Sequence, residues 1–122
     1  MYSEHSMSHR FVILRHDHPY LHWDLLLEND TSCRCWRLLR EPCSGEPIAA
    51  ERLPPHRLQY LDYEGPVTGN RGNVRRVVSG SYFVGESAEE ELHIGLTHNT
   101  VFSSGRLRIL NDDRQFWTFD AA

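Results

Sequence analysis

Short runs of apolar residues follow one another along this chain, and turn-forming residues separate them. The segment 21–27 is the most regular, because leucines and a tryptophan at odd positions alternate with His22, Asp24 and Leu26. Alternation with a period of two is typical of a strand whose two faces meet different surroundings. Further strands are predicted over 11–14, 33–39, 92–96, 106–110 and 115–119.

Two longer segments need separate interpretation. Residues 74–84 resemble a hairpin, with Ser79-Gly80 as the turn between two apolar runs. Residues 40–56 contain several prolines, which predicts a long connection because proline is excluded from most sheet interiors. No segment shows the apolar stripe of a long helix. Seven or eight short strands with close turns predict an all-β barrel or sandwich.

Length and composition fit one globular domain. The chain has 122 residues, of which 39% are hydrophobic and 11% aromatic, so extensive disorder is excluded. Residues 1–8 are polar and predict a disordered arm, and 9–122 predict a single domain. No apolar run is long enough to span a membrane, and the first residues lack a signal-peptide core. We expect a cytoplasmic protein with no membrane partner.

The charge balance limits the possible partners. The net charge of −4 argues against a nucleic-acid coat protein, but a local basic groove remains open because all thirteen basic residues are arginines. The three cysteines are Cys33, Cys35 and Cys43. Their odd number predicts free thiols in a reducing compartment, and the Cys-x-Cys spacing lacks the paired pattern of a typical zinc site.

His16, His22 and Asp24 form the first candidate site. On a strand, His22 and Asp24 project from the same face, and His16 ends the preceding strand. Two imidazoles and one carboxylate are a ligand set for a first-row divalent metal and leave coordination positions open. The alternative is a ladder of polar side chains on a sheet face that meets water.

His56 and Tyr60 form a second candidate cluster. They are four residues apart, so on an extended segment both side chains point the same way. The histidine could contact a phosphate or transfer a proton, and the tyrosine could supply a hydroxyl donor. The alternative is a histidine ordered by the preceding prolines and a tyrosine packed on a sheet. The first cluster is what favours the functional interpretation.

These motifs together resemble the 3′-phosphoesterase domain of bacterial DNA ligase D. The resemblance begins with a strand that ends in His16-Asp17 and continues through Leu21-His22-Trp23-Asp24 and Leu27-Glu28. It extends through Trp36, His56, Tyr60 and the segments 63–65 and 80–82 to the aromatic tail, and so covers most of residues 10–119.

The resemblance implies a small closed or nearly closed β-barrel of about eight strands, with a groove that holds a metal site. His16, His22 and Asp24 would be the metal ligands, with manganese preferred and zinc or another first-row metal as alternatives. His56 and Tyr60 would be the catalytic residues at the scissile phosphate. The implied function is that of a stand-alone phosphoesterase for DNA end repair, which trims a 3′-phosphate or 3′-ribonucleotide. Its partners would be a nucleic-acid 3′ end and a separately encoded DNA ligase or polymerase.

The chain departs from the family pattern at two arginine positions, which here hold Leu26 and Ile48. Arg40 falls where the family has a lysine, and it is a candidate phosphate-binding residue together with Arg52. The other arginines that could substitute from a loop are Arg57, Arg71, Arg75 and Arg76. Two alternatives therefore stay open: a non-catalytic module that binds metal and nucleic-acid ends, and a barrel whose polar ladder is purely structural.

Overall fold

The computed structural model describes residues 9–122, so the predicted arm over 1–8 lies outside the described residues. A short 3-10 helix spans Leu58–Leu61. The strands are β1 His9–His16, β2 His22–Glu28, β3 Cys33–Leu38, β4 Ile48–His56, β5 Gly65–Pro66, β6 Asn73–Val84, β7 Glu91–Thr97, β8 Phe102–Asn111 and β9 Arg114–Ala121.

The strands form a closed antiparallel barrel of eight strands. Their order is β1-β2-β3-β4-β9-β8-β7-β6, and β6 pairs back onto β1 to close the ring. The two-residue β5 pairs with the beginning of β6. The predicted all-β barrel is confirmed. Within residues 9–122, no helix has the length and apolar character needed to cross a membrane.

The inside of the barrel holds the main hydrophobic core. Alternate residues of each strand point inward, including Trp23, Leu25 and Leu27 of β2. At the centre, the rings of Trp36 and Trp117 meet edge to face, with centroids 5.3 Å apart. Because this core fills the inside of the closed sheet, the candidate residues His22 and Asp24 lie on the opposite, outer face of β2.

The predicted hairpin over residues 74–84 is wrong, because β6 is one continuous strand across Ser79-Gly80. Its length lets it pair with β1 along most of its course and with β7 at its end. Gly80 is required here for space: a Cβ atom would collide with the carbonyl oxygen of Thr97 and the ring of Phe11. A glycine that permits close approach of two segments resembles a turn glycine in sequence.

The predicted connection over residues 40–56 is wrong in its second half, which forms β4. Pro54 and Pro55 lie near the end of that strand, where the register with β3 shifts at a bulge. Pairing with β9 covers only residues 48–50, so one edge of β4 is free at the prolines. Proline is tolerated at such a place because no partner there needs its missing N–H group.

Residues 58–67 form an outer layer over the barrel wall made by β1, β2 and β3. A second hydrophobic cluster fills the space between them, with Leu61 only 2% exposed and Leu26 fully buried. Arg10 holds this outer layer through two hydrogen bonds to Asp62, at 2.5 and 3.1 Å, and a third to the Leu61 carbonyl oxygen. His22 and Asp24, on the same outer face of β2, are themselves buried, so the predicted ladder of polar side chains that meets water is wrong.

Candidate metal centre

His16, His22 and Asp24 meet on the outer face of the barrel, at the end of β1 and the start of β2. His16 and His22 are direct partners in the antiparallel register, and Asp24 follows on the same face. His22 is 1% exposed and Asp24 is 3% exposed. Buried charged groups normally have partners, so this burial already calls for a compensating interaction.

Backbone carbonyl groups determine which nitrogen of each histidine carries its proton. Nδ1 of His22 lies 2.8 Å from the carbonyl oxygen of Tyr20, and Nε2 of His16 lies 2.9 Å from that of Arg71. A carbonyl oxygen only accepts hydrogen bonds, so these two nitrogens are the donors. In the neutral rings, the other nitrogens carry lone pairs, as in metal-binding histidines held by an outer partner.

The lone pairs of the two histidines converge on the carboxylate of Asp24. His22 Nε2 lies 3.2 Å from Asp24 Oδ1, and His16 Nδ1 lies 3.6 Å from Asp24 Oδ2. One potential ligand atom from each residue falls within 4.8 Å of the others. Oδ1 is buried and accepts no well-formed hydrogen bond from the part of the chain that is described. Three electron-pair donors facing one another fit a bound cation.

The electrostatics of the cluster also favour a negative carboxylate. Burial alone would raise the pKa of Asp24, but the adjacent His16 and His22 outweigh it and lower that pKa to about 2. Once His16 is protonated, its Nδ1–H can donate to Asp24, and this raises the pKa of His16 above 6.5, against the effect of partial burial. The site thus attracts positive charge, whether it arrives as a proton or as a metal ion.

The loop before β6 is held against the candidate metal ligands. Gly72 has a φ of +75°, and a Cβ atom there would collide with Asp17 and His18. Asp17 Oδ1 accepts a hydrogen bond of 2.7 Å from the backbone N–H of Asn73. These contacts place the carbonyl oxygen of Arg71 on the ring of His16, so residues distant in sequence orient this candidate ligand.

A cavity of about 400 Å³ opens beside this cluster. His16 and Asp24 line one side of it, and His56 and Tyr60 line another. His56 Nδ1 donates to the carbonyl oxygen of Pro54 at 3.1 Å, so Nε2 carries the lone pair of the neutral ring and lies 3.8 Å from Cys35 Sγ. The structure thus brings both predicted clusters to one cavity.

Residues 14–110 match the family model described as the DNA ligase D 3′-phosphoesterase domain. The chain belongs to this family. One similar protein is the multifunctional non-homologous end joining protein LigD of Pseudomonas aeruginosa, which is 32% identical over 60 residues. Those residues are 48% of this chain and 7% of the length of LigD. Membership supports a phosphoesterase of this kind.

In this member of the phosphoesterase family, Arg37 brings a positive charge to the cavity. It lies directly across from Asp24 in the register of β2 and β3, and its side chain lines the cavity. Its Nη1 donates to the hydroxyl oxygen of Tyr20 at 3.2 Å, and Glu51 lies 3.9 Å away. Sequence reasoning missed Arg37. The signal was the alternation of Cys33, Cys35 and Arg37 on one face of a strand paired with β2.

The two arginines predicted to bind phosphate lie elsewhere. Arg40 follows β3 and contacts the carbonyl oxygen of Pro47 at 2.8 Å, while the guanidinium of Arg52 stacks over the Trp36 ring at 4.6 Å. Neither lines the cavity. Leu26 and Ile48, at the family's arginine positions, are fully buried in the outer and inner clusters. The structure places Arg37, Arg57 and Arg71 on the cavity wall instead.

The cysteines form no metal site among the residues that the structure describes. All three are free thiols, as predicted, with Cys33 and Cys35 buried under the outer layer and Cys43 exposed. Burial raises the pKa of Cys33 to about 11 and that of Cys35 well above its ordinary value. A thiol that resists deprotonation is a poor metal ligand.

Proposed function

We propose that this domain is a divalent-metal-dependent phosphoesterase that removes a 3′-phosphate or 3′-ribonucleotide from the end of a nucleic-acid strand. The observation that carries the proposal is the convergence of His16, His22 and Asp24, with both ring tautomers held by carbonyl groups. Family membership supplies the phosphoesterase class. The product would be a 3′-hydroxyl that a separately encoded DNA ligase or polymerase could use.

Manganese is the metal we propose, in line with the resemblance to the phosphoesterase family. Zinc or another first-row ion is the alternative, because two imidazoles and one carboxylate suit several of these ions. A bound divalent cation supplies Lewis-acid polarisation of a phosphate oxygen and a more acidic water molecule. His16 Nδ1, His22 Nε2 and an oxygen of Asp24 would hold it.

The other cavity residues would act on the phosphate itself. The guanidinium of Arg37 offers planar donors that match phosphate oxygens and offset their charge. Tyr60 can donate its hydroxyl proton to a second oxygen. His56 can exchange a proton with the substrate at Nε2, because its Nδ1–H is held by Pro54, once the 3.8 Å contact of Nε2 with Cys35 Sγ opens. These groups would surround a phosphate that the cavity admits.

The alternative of a binding module without turnover is not favoured. It drew support from the loss of arginines at Leu26 and Ile48. Arg37, on the neighbouring strand β3, lines the cavity beside His16 and Asp24 and supplies a guanidinium there. The family match is also to a phosphoesterase domain.

A direct assay tests the proposal. The full chain, freed of metal with EDTA, is mixed with an oligonucleotide that ends in a 3′-phosphate, and phosphate release is measured with Mn²⁺, Zn²⁺ or no metal. We expect release only with added metal. His22→Ala should abolish it, whereas the matched control His93→Ala, on the outer side of β7, should retain it. Metal binding without release from 3′-phosphate or 3′-ribonucleotide ends would instead favour the binding module.

A further inference from the structure

The cavity lined by His16, Asp24, His56 and Tyr60 is here called the metal cavity, and a second concavity, here called the side groove, adjoins it. Its volume is about 410 Å³, and it shares a wall with the metal cavity at Arg57, Tyr60, Val67 and Arg71. It then continues past Tyr63 along the outer layer. This volume is within the range of about 300–1,000 Å³ that is usual for small-molecule sites.

A line of aromatic rings leads from the metal cavity into the side groove. The rings of His56 and Tyr60 meet at a centroid distance of 6.0 Å, and those of Tyr60 and Tyr63 at 6.1 Å with planes 86° apart. The hydroxyl of Tyr63 donates to the carbonyl oxygen of Pro66, which restrains the ring, yet Tyr63 is 36% exposed. A restrained, accessible ring in a groove is a platform on which a nucleobase can stack.

Two arginines stand where the side groove meets the metal cavity. The arginine–carboxylate pairs found within residues 9–122 involve neither Arg57 nor Arg71. Arg71 is braced by Thr68, to which it donates from Nε at 2.7 Å and from Nη2 at 3.2 Å. Its remaining donors are available at low entropic cost, because the side chain is already ordered. Such uncompensated guanidinium groups fit a phosphate backbone.

We propose that the side groove binds the nucleoside on the 5′ side of the reacting phosphate, with its base against Tyr63 and its backbone between Arg57 and Arg71. This inference rests on the proposed function, since it requires that phosphate to lie in the metal cavity. A sugar connects the phosphate to its base, so the base must occupy space next to the cavity, and the side groove adjoins it. Stacking on an aromatic face favours a single-stranded or frayed end of any sequence.

Two oligonucleotides that differ only at the last residue test the base contact. One ends in thymidine 3′-phosphate and the other in an abasic tetrahydrofuran 3′-phosphate. With Mn²⁺, we expect KM to be higher for the abasic strand by about 5-fold to 100-fold, as the loss of one stacked base predicts, with little change in kcat. Tyr63→Leu should abolish this difference, whereas Tyr63→Phe, which keeps the ring, should preserve it.

The outcomes separate the inference from the proposed function. Equal KM values for the two strands in the wild-type protein would overturn the inference. A difference that persists in Tyr63→Leu would also overturn it, because the base would then be bound elsewhere. Phosphate release from neither strand would overturn the proposed function instead.

Binding measured without turnover tests the arginine contact. In EDTA, fluorescence anisotropy of the labelled thymidine-ended strand gives the slope of log affinity against log salt concentration. Arg57→Gln should make the slope shallower by about 0.7, the value expected for one lost phosphate contact on a single strand. Arg106→Gln, an exposed arginine of β8 outside both concavities, should not change it. A slope in Arg57→Gln equal to that of the wild type would overturn this contact.

Discussion

Backbone carbonyl groups orient both histidines among the candidate metal ligands. Tyr20 fixes the ring of His22, and Arg71, far along the sequence, fixes the ring of His16. The lone pair of either ring cannot donate a hydrogen bond to Asp24, so its buried Oδ1 has no donor among residues 9–122. The donors are pre-arranged for a cation, which lowers the cost of organising the site when one binds.

Proton competition should weaken metal binding in acid. A proton on Nδ1 of His16 excludes the metal from that nitrogen, and the hydrogen bond with Asp24 raises the pKa of His16 above 6.5. The affinity for Mn²⁺ should therefore be full above this pKa and fall by about tenfold for each pH unit below it. Calorimetric titration between about pH 8 and about pH 5 measures this. Affinity that does not change over this range would argue against ligation by His16.

Arg37 should matter for turnover more than for metal binding. We expect Arg37→Gln to lower kcat/KM on a 3′-phosphate strand by about 10-fold to 100-fold, because a charge-assisted contact to phosphate is lost. Arg37→Lys should recover part of this activity, and Arg40→Gln, outside the cavity, serves as the control. The metal-induced rise in melting temperature should survive in Arg37→Gln. Activity of Arg37→Gln within about twofold of the wild type would exclude this role.

At the scale of elements, residues 58–67, the outer layer, form one wall of the candidate site. It covers Leu26 of β2 and carries Tyr60, while Arg10 and Arg76 hold it to β1 and β6. Without this layer, the cavity beside Asp24 would lose the wall formed by Tyr60 and Val67 and would open further to water.

Among the apolar residues of this layer, Leu61 should have the largest effect on the free energy of unfolding when its side chain is shortened. Leu61→Ala is expected to lower the free energy of unfolding by about 2–5 kcal/mol, because the side chain is 2% exposed and its removal leaves a cavity. Leu110→Ala, on an outer position of β8 that is 50% exposed, is the matched control and should cost under about 1 kcal/mol. Urea unfolding measures both. Equal effects would show that the outer layer is not packed as described.

Local pattern predicted most of the elements, and it failed where tertiary contacts decide. The period-two alternation of β2 and the short apolar runs were sufficient for most strands. The turn predicted at Gly80 and the break predicted at Pro54 are wrong, because the roles of these residues depend on a neighbouring strand and a free edge. No local signal tells a glycine that admits Phe11 from a glycine that turns the chain.

At the scale of the whole molecule, the site combines one local motif with contacts that only barrel closure creates. His16, His22 and Asp24 lie within a single hairpin, so strand geometry alone could group them. Arg37 joins them through the register of β3, and residues 56–71 join them by crossing the outer face of the barrel. Those parts depend on which strands become neighbours, and a sequence pattern does not state that.

Metal binding should therefore stabilise the whole barrel, because the proposed ligands connect β1 with β2 and, through His16, the loop before β6. At a metal concentration about 100 times Kd, binding to the native state adds about 2.7 kcal/mol. For a chain of this size that corresponds to a rise in melting temperature of roughly 8–11 °C. EDTA should reverse the rise, and the near-isosteric Asp24→Asn should remove most of it. If neither Mn²⁺ nor Zn²⁺ raises the melting temperature, the three donors do not form a metal site.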